Sequence, residues 1–339
     1  MTDCDSLSYS TPNGSELFLQ NLCEKAQSMV DAGKYEAALQ ICNQIISLAP
    51  AYQEIYALRG IVRSELADYQ GAIDDFSMAL QLKDDDVESL INRGNTYAEI
   101  GLFDLAWQDY EKAIAFDPEE PAIWLNRGAL RAELKDFDGA IEDYNQAISL
   151  DDAEALAFFN RGIAYLEIGE FEQALEDLKK TIELEPKNEE AYVQLARVYF
   201  ELGELKQAEK NATQAIHLNP NLAEAYLTRG IIRAEFQNYA GALADYKEAI
   251  ALEPDNPTPY FNRALLYQAN NEWENALADL CTVIHLNPKD YEAYEIRGEV
   301  RNKLGDVEGA CQDWRIAAEN GQITSQSYYQ MYCYNYQSE

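Results

Sequence analysis

The chain has 339 residues, 47% of them apolar, 23 tyrosines and a formal net charge of -34. That charge excludes a nucleic-acid binder, because Lys and Arg must displace the counterions of the phosphates. The apolar content excludes a disordered acidic chain, so the negative charge sits on folded structure and attracts cationic partners.

Taken in chain order, Met1 to Glu16 has neither a basic flank nor an apolar run, so no signal peptide or transmembrane segment is expected and the cytoplasm is the default location. Residues 1–18 read as a flexible lead-in rich in Ser, Asp, Pro and Gly. From Leu19 to about Thr324 a 34-residue period takes over, without insertion or deletion. A small residue recurs at Gly60, Gly94, Gly128, Gly162, Ala196, Gly230, Ala264 and Gly298. A second comb runs in phase with it, at Ala38, Ala72, Ala106, Ala140, Ala174, Ala208, Ala242, Ala276 and Ala310.

Numbering each repeat from 1 to 34, with Leu19 as the first residue of the first, gives nine expected repeats over 19–324. Leu90, Arg93, Gly94 and Tyr97 show the helical spacing of the first half, and Ala106, Tyr110 and Ala113 that of the second. A mid-helix Gly costs roughly 1 kcal/mol against Ala, so its return at position 8 predicts that a partner helix crosses there at close range. Gly33, Gly101, Gly169, Gly203 and Gly305 end the first helices, and Pro50, Pro118, Pro186, Pro220, Pro254 and Pro288 mark the turns between repeats.

With the aromatics at position 24 (Phe76, Tyr110, Tyr144, Tyr246, Trp314), these residues make the chain resemble the tetratricopeptide repeat (TPR) family. The resemblance implies an all-α fold: a right-handed superhelical α-solenoid of tandem helix-turn-helix repeats, with the first helices lining its concave side. The plain repeats are most similar to bacterial members of the family, including cyanobacterial-type scaffolds that assist assembly of membrane complexes, which implies an assembly factor.

Two repeat positions vary together. Position 7 is Arg in seven repeats (Arg59, Arg93, Arg127, Arg161, Arg229, Arg263, Arg297), and position 23 is Asp in the same seven (Asp75, Asp109, Asp143, Asp177, Asp245, Asp279, Asp313). The first and sixth repeats lack both, carrying Lys25 with Ile41 and Leu195 with Asn211. An internal Arg–Asp pair in each of the seven is the expectation, rather than an anion-binding ladder.

The face assigned by the resemblance to the concave groove carries the candidate site. Position 13 is acidic in seven consecutive repeats: Asp31, Glu65, Glu99, Glu133, Glu167, Glu201 and Glu235. Apolar residues recur between them at positions 5, 9 and 12, among them Phe159, Val193, Leu227, Ile231 and Phe200, so the groove is expected to have an apolar floor edged by carboxylates. Asn92, Asn95, Asn126, Asn160 and Asn262 resemble the backbone-gripping asparagines of peptide-binding members, since an amide offers both a donor and an acceptor. The sixth repeat departs from the rest with Arg197 at position 9 and Gln194 at position 6. The chaperone-tail carboxylate clamp of the family is not expected, because Ala122, Leu125, Leu156 and Asn160 stand where it needs Lys and Arg. The partner implied is a basic or amphipathic protein segment. Two accounts of the acidic edge stand side by side: selection for such a partner, or mere duplication of a good helix former. Carboxylates able to hold a divalent cation are the alternative function, although about one per repeat is sparse for oxygen ligands that must converge.

The segment 325–339 breaks the period and crowds Tyr328, Tyr329, Tyr332, Tyr334 and Tyr336 into nine residues with Met331 and Cys333. It reads as a capping helix over the last repeat, or as a tail for self-association. Six cysteines without a Cys-x-x-Cys pair fit a reducing compartment, with Cys42, Cys281 and Cys311 as small core residues. His217 and His285 both fall at the end of a second helix, with nothing converging on them. No nucleophile motif, phosphate-cradling loop or metal-spaced cluster is present, so neither an enzyme nor a bound cofactor or metal is expected.

Overall fold

The computed structural model describes residues 14–333, which form nineteen α-helices with no strand among the described residues. The lead-in before residue 14, and Tyr334 and Tyr336 of the tail, lie outside the described residues.

The odd-numbered helices are the first helices of the repeats: α1 (Gly14–Asp31), α3 (Gln53–Glu65), α5 (Val87–Glu99), α7 (Pro121–Glu133), α9 (Ala155–Glu167), α11 (Glu189–Glu201), α13 (Ala223–Glu235), α15 (Pro257–Ala269) and α17 (Tyr291–Lys303). The even-numbered helices are the second: α2 (Tyr35–Leu48), α4 (Tyr69–Leu82), α6 (Phe103–Phe116), α8 (Phe137–Leu150), α10 (Phe171–Leu184), α12 (Leu205–Leu218), α14 (Tyr239–Leu252), α16 (Trp273–Leu286) and α18 (Val307–Glu319). α19 (Ile323–Cys333) follows them. The described chain divides at Ala164, inside α9, into two compact bodies. In the first, α3 packs on α4, α5 on α6 and α7 on α8, and α3, α5 and α7 also touch one another in turn. In the second, α11 packs on α12, α13 on α14, α15 on α16 and α17 on α18, with α11 against α13 and α13 against α15.

Local chemistry sets the breaks. Gly101 ends α5 with φ 76°, the left-handed conformation a helix C-terminus favours. The same repeat position is held at φ 65° by Lys135, a residue with a Cβ that strains there. Asp68, Asp136 and Asp306 cap the next helices by accepting from the backbone N–H of Gly71, Gly139 and Gly309, and Asp86, last of the Asp84–Asp86 run, caps α5 through Ser89.

In five hairpins the glycine comb meets the position-24 aromatics. A Cβ built on Gly94, Gly128 or Gly230 would lie 2.6–2.7 Å from the Cε1 of Tyr110, Tyr144 or Tyr246. Gly60 meets Phe76 and Gly298 meets Trp314 in the same way. The close crossing inferred from the repeating glycine is therefore a first-helix backbone lying against a second-helix ring, and all five rings are almost wholly buried. Where position 8 is Ala the facing residue is not aromatic: Ala196 is matched by Ala212 and Ala264 by Leu280.

The expected Arg–Asp pairs form in six hairpins. Arg127 donates through Nε (2.9 Å) and Nη2 (2.7 Å) to the two oxygens of Asp143, and the same two-bond fork joins Arg59 to Asp75, Arg93 to Asp109, Arg229 to Asp245, Arg263 to Asp279 and Arg297 to Asp313. Asp177 is buried, and it and Arg161 both have interaction partners. The guanidinium does more than was expected of it. Its Nη1 reaches the preceding hairpin, from Arg59 to Asn43, Arg93 to Ser77, Arg127 to Glu111, Arg161 to Asn145 and Arg229 to Thr213. One side chain thus ties two helices of its own hairpin and a helix of the hairpin before it. Burial alone would lower the pKa of Arg127; the bonded and charged Asp143 outweighs it and raises the pKa. A second arginine, at position 11, joins some of these carboxylates: Arg63 lies 3.0 Å from Asp75, Arg233 2.9 Å from Asp245 and Arg301 3.0 Å from Asp313.

The C-terminal segment folds back as α19. The backbone N–H and hydroxyl of Ser325 donate to the Glu295 carboxylate at 3.1 and 2.7 Å, and the rings of Tyr328 and Tyr332 sit 5.2 and 5.6 Å from that of Trp314. Cys333 forms a disulfide with Cys311. That corrects the reading of Cys311 as a small core residue: a linear spacing of 22 residues hides the fact that α18 and α19 turn back on each other. Cys281 is corrected too, being exposed, whereas Cys42 is fully buried as expected. With a disulfide formed, cysteine usage no longer argues for a reducing compartment.

Candidate functional face

The packing stripe of each first helix is turned towards its own second helix, which leaves the opposite stripe partly exposed. Every acidic residue of position 13 ends its helix: Asp31 closes α1, Glu65 α3, Glu99 α5, Glu133 α7, Glu167 α9, Glu201 α11 and Glu235 α13. All seven are exposed. A carboxylate at a helix C-terminus faces the negative end of the macrodipole, an arrangement that costs about 0.3–1 kcal/mol per helix. Glutamate is a good helix former in the interior of a helix, but here it stands where its charge has the wrong sign.

In the first body, Glu65, Asn92, Asn95 and Glu99 come together on one hollow of ≈ 370 Å³ between α3 and α5, over Ile61. Ser64, Tyr69 and Thr96 share the lining. The Asn95 amide oxygen accepts from the Tyr110 hydroxyl at 2.7 Å, so a buried ring holds the amide that faces the hollow. The Tyr110 hydroxyl is itself pushed well above its ordinary pKa, first by burial and then by Asp109. Glu65 takes a hydrogen bond from Tyr35, whose pKa rises accordingly.

In the second body, Arg197, Phe200 and Glu201 line a pocket of ≈ 330 Å³ between α11 and α13, together with Glu224, Leu227, Thr228, Ile231 and Ile232. Arg197 donates through Nη1 to Gln194 (2.7 Å) and lies 4.0 Å from Glu167 through Nη2. Gln194 donates in turn to Glu224 at 3.3 Å.

Asn126, Glu133, Phe159, Asn160, Glu235 and Asn262 line neither hollow. Two of these asparagines are turned partly to their own helices: Asn126 donates to the Ala122 carbonyl and Asn262 to that of Thr258. Each thus has one donor engaged and its amide oxygen to offer. Val193, expected on the floor, is fully buried. Sequence reasoning passed over Ser64, Tyr69, Thr96 and Thr228. Tyr69 opens a second helix, and a reading confined to first helices leaves it out; the small hydroxyl residues show no periodic signal. Among the described residues no helix is long and apolar enough to cross a membrane, and no group of three or more His, Cys, Asp or Glu is placed to hold a metal ion.

Paired helices stacked in one repeating register, with their first-helix stripes free, define an α-helical repeat protein of the solenoid class. Family profiles described as TPR repeat match residues 130–169 and 232–271, and others described as tetratricopeptide repeat match 87–120, 165–230 and 261–321. The chain belongs to the tetratricopeptide repeat family. No curated protein matches it. Among solved structures it is similar to the Cut9–Hcn1 hetero-tetramer of the APC/C (TM-score 0.63, 17% identity, covering 82% of this chain and 55% of that one). It is also similar to a tetratricopeptide repeat protein from Parabacteroides merdae (TM-score 0.57, 21% identity, 73% and 98% covered) and to pilF of Pseudomonas aeruginosa (TM-score 0.55, 20% identity, 64% and 98% covered). The chain spans about half the length of the Cut9 structure's matched chain, and at these identities the likeness concerns the fold.

Proposed function

We propose that this chain is a non-catalytic scaffold, of the assembly-factor kind, that docks a basic, amphipathic protein segment along the exposed stripe of its first helices. The repeat fold supports protein interaction in general. The finer reading is carried by one observation: seven carboxylates closing successive first helices against the helix dipole. Residues chosen for helix stability would carry the opposite sign there, as Lys303 does at the end of α17. Within each body, like charges bordering half-buried apolar side chains suit a ligand with Lys or Arg on one face and apolar residues on the other. Long-range attraction by the net charge speeds its encounter, and the apolar stripe holds it.

The test is a titration of a labelled helical peptide of alternating Lys and Leu faces, and of its Glu-for-Lys counterpart, at low and high salt. The Glu65→Gln/Glu99→Gln/Glu133→Gln variant is expected to bind the basic peptide about tenfold or more weakly, with a shallower salt dependence. It is also expected to be slightly more stable, since three unfavourable dipole contacts are gone. Unchanged affinity in the variant would reduce the acidic edge to a solubilising surface.

A further inference from the structure

The pocket between α11 and α13 differs in kind from the hollow between α3 and α5. Its floor is apolar: Leu227 and Ile231 are half-buried, Phe200 closes one side, and Ile232 and Thr228 lie buried beneath. At ≈ 330 Å³ it stands at the small end of ligand sites, a size for one side chain rather than a cofactor. Its lip holds three charged groups, Arg197, Glu201 and Glu224. Arg197 is the sole arginine of its hairpin, where Leu195 replaces the arginine of the ladder. It is occupied by Gln194 and Glu167, and Gln194 carries the chain of contacts on to Glu224. Arg197 is exposed, yet the lip still carries two carboxylates, Glu201 and Glu224, to one guanidinium. Glu201 also sits at the dipole's negative end.

Resting on the reading of the first-helix stripe as a docking face, we infer that this pocket is the anchor subsite of that face. It accepts one large apolar side chain, Leu- or Phe-like, from a partner segment in which a neighbouring residue is Lys or Arg. The apolar floor selects the anchor and the Glu201 and Glu224 carboxylates select its neighbour. A segment with an acidic neighbour is disfavoured at the lip, where carboxylates outnumber the guanidinium two to one.

The probes are three labelled peptides in a Gly/Ser background, carrying Lys-Leu-Lys, Lys-Ala-Lys or Glu-Leu-Glu at their centre. They are titrated against the full chain and two variants whose helix content and melting are checked first. Leu227→Trp fills the pocket, and Ile231→Gln sets a neutral polar group over its floor; both sites are half-buried, and only variants that keep the wild-type helix content and melting are compared. The wild type is expected to favour Lys-Leu-Lys over Lys-Ala-Lys by about tenfold or more, and over Glu-Leu-Glu by a factor that shrinks with salt. In both variants the Leu-over-Ala preference disappears while Lys-Ala-Lys binds as before. A Leu preference that persists in both folded variants overturns the subsite and leaves the docking face standing, with its apolar contact elsewhere. Lys-Ala-Lys and Lys-Leu-Lys binding no more tightly than Glu-Leu-Glu overturns the basic-partner reading, and the charge half of this inference with it.

Discussion

Gly128 and Tyr144 are a single packing unit: a methyl group on the Gly128 Cα would stand 2.7 Å from the ring of Tyr144, closer than real Cβ contacts come. The ring is 1% exposed and has no room to retreat. Gly128→Ala gains up to about 1 kcal/mol of helix propensity and loses more to overpacking. A net destabilisation of about 1–2 kcal/mol is expected in chemical denaturation. Adding Tyr144→Leu, which copies the Ala264–Leu280 arrangement of a later hairpin, is expected to recover part of that loss. A double variant that is simply the sum of two losses would show that ring and glycine do not act together.

The Arg127–Asp143 pair is the second such unit, with side chains 10% and 3% exposed. Arg127 also bonds Glu111 in the preceding hairpin and lies 5.2 and 4.8 Å from the ring centroids of Trp107 and Trp124. Arg131 also approaches Asp143, at 3.4 Å, so Asp143→Asn removes the buried carboxylate both guanidiniums share, leaves Arg127 with Glu111 alone, and is expected to cost on the order of 3 kcal/mol. A double-mutant cycle with Arg127→Met is expected to give a coupling of about 1–3 kcal/mol. A coupling near zero would dismiss the pair as a structural link.

Alkaline pH provides a third check. Burial pushes the Cys42 thiol up from 9.0 to about 11, and burial first, with a neighbouring Asp second, raises Tyr110, Tyr144 and Tyr246 above their ordinary 10. The neutral forms are the ones the core accepts. The unfolded chain therefore ionises first, and the stability they contribute is whole below pH 9 and drains away as pH climbs through the folded-state values. The urea midpoint is expected to fall between pH 8 and pH 10.5. Cys42→Ala is expected to flatten that slope by about 1–2 kcal/mol over the interval, whatever its effect at pH 8.

A fourth concerns the clasp between α18 and α19. Closing a 22-residue separation by the Cys311–Cys333 disulfide restricts the unfolded chain by roughly 3 kcal/mol in the chain-entropy account. Cys333→Ser is expected to speed amide exchange across α19 and to leave α3 through α8 unchanged. If α19 keeps its protection, the Ser325–Glu295 bonds and the tyrosine rings on Trp314 are sufficient to hold it.

Much of this was legible from one chain because each repeat is a copy of the experiment. Arg and Asp that appear together in seven repeats and vanish together in two announce their contact, and the fork from Arg127 to Asp143 bears it out. The glycine at position 8 announced a close crossing, but the fact that every aromatic at position 24 stands opposite such a glycine passed unnoticed. The bond that several of these arginines send to the hairpin before them left no trace, because its partner is now Asn43, now Ser77, Glu111 or Thr213. Any acceptor at that spot serves, so nothing repeats.

By itself the sequence determined the helical hairpins, their register and the pairings inside them, because a 34-residue period brings the same positions together each time and the physics of one repeat is the physics of all. Only the tertiary structure decided that the acidic residues close their helices against the dipole, that Cys311 meets Cys333, and that Arg197, Phe200 and Glu201 border one pocket with Leu227 and Ile231. Those relations depend on where a helix ends and which of its neighbours lies across a gap. A periodic pattern states which residues share a stripe, but the depth and charge of the space between two stripes come from side chains that do not repeat.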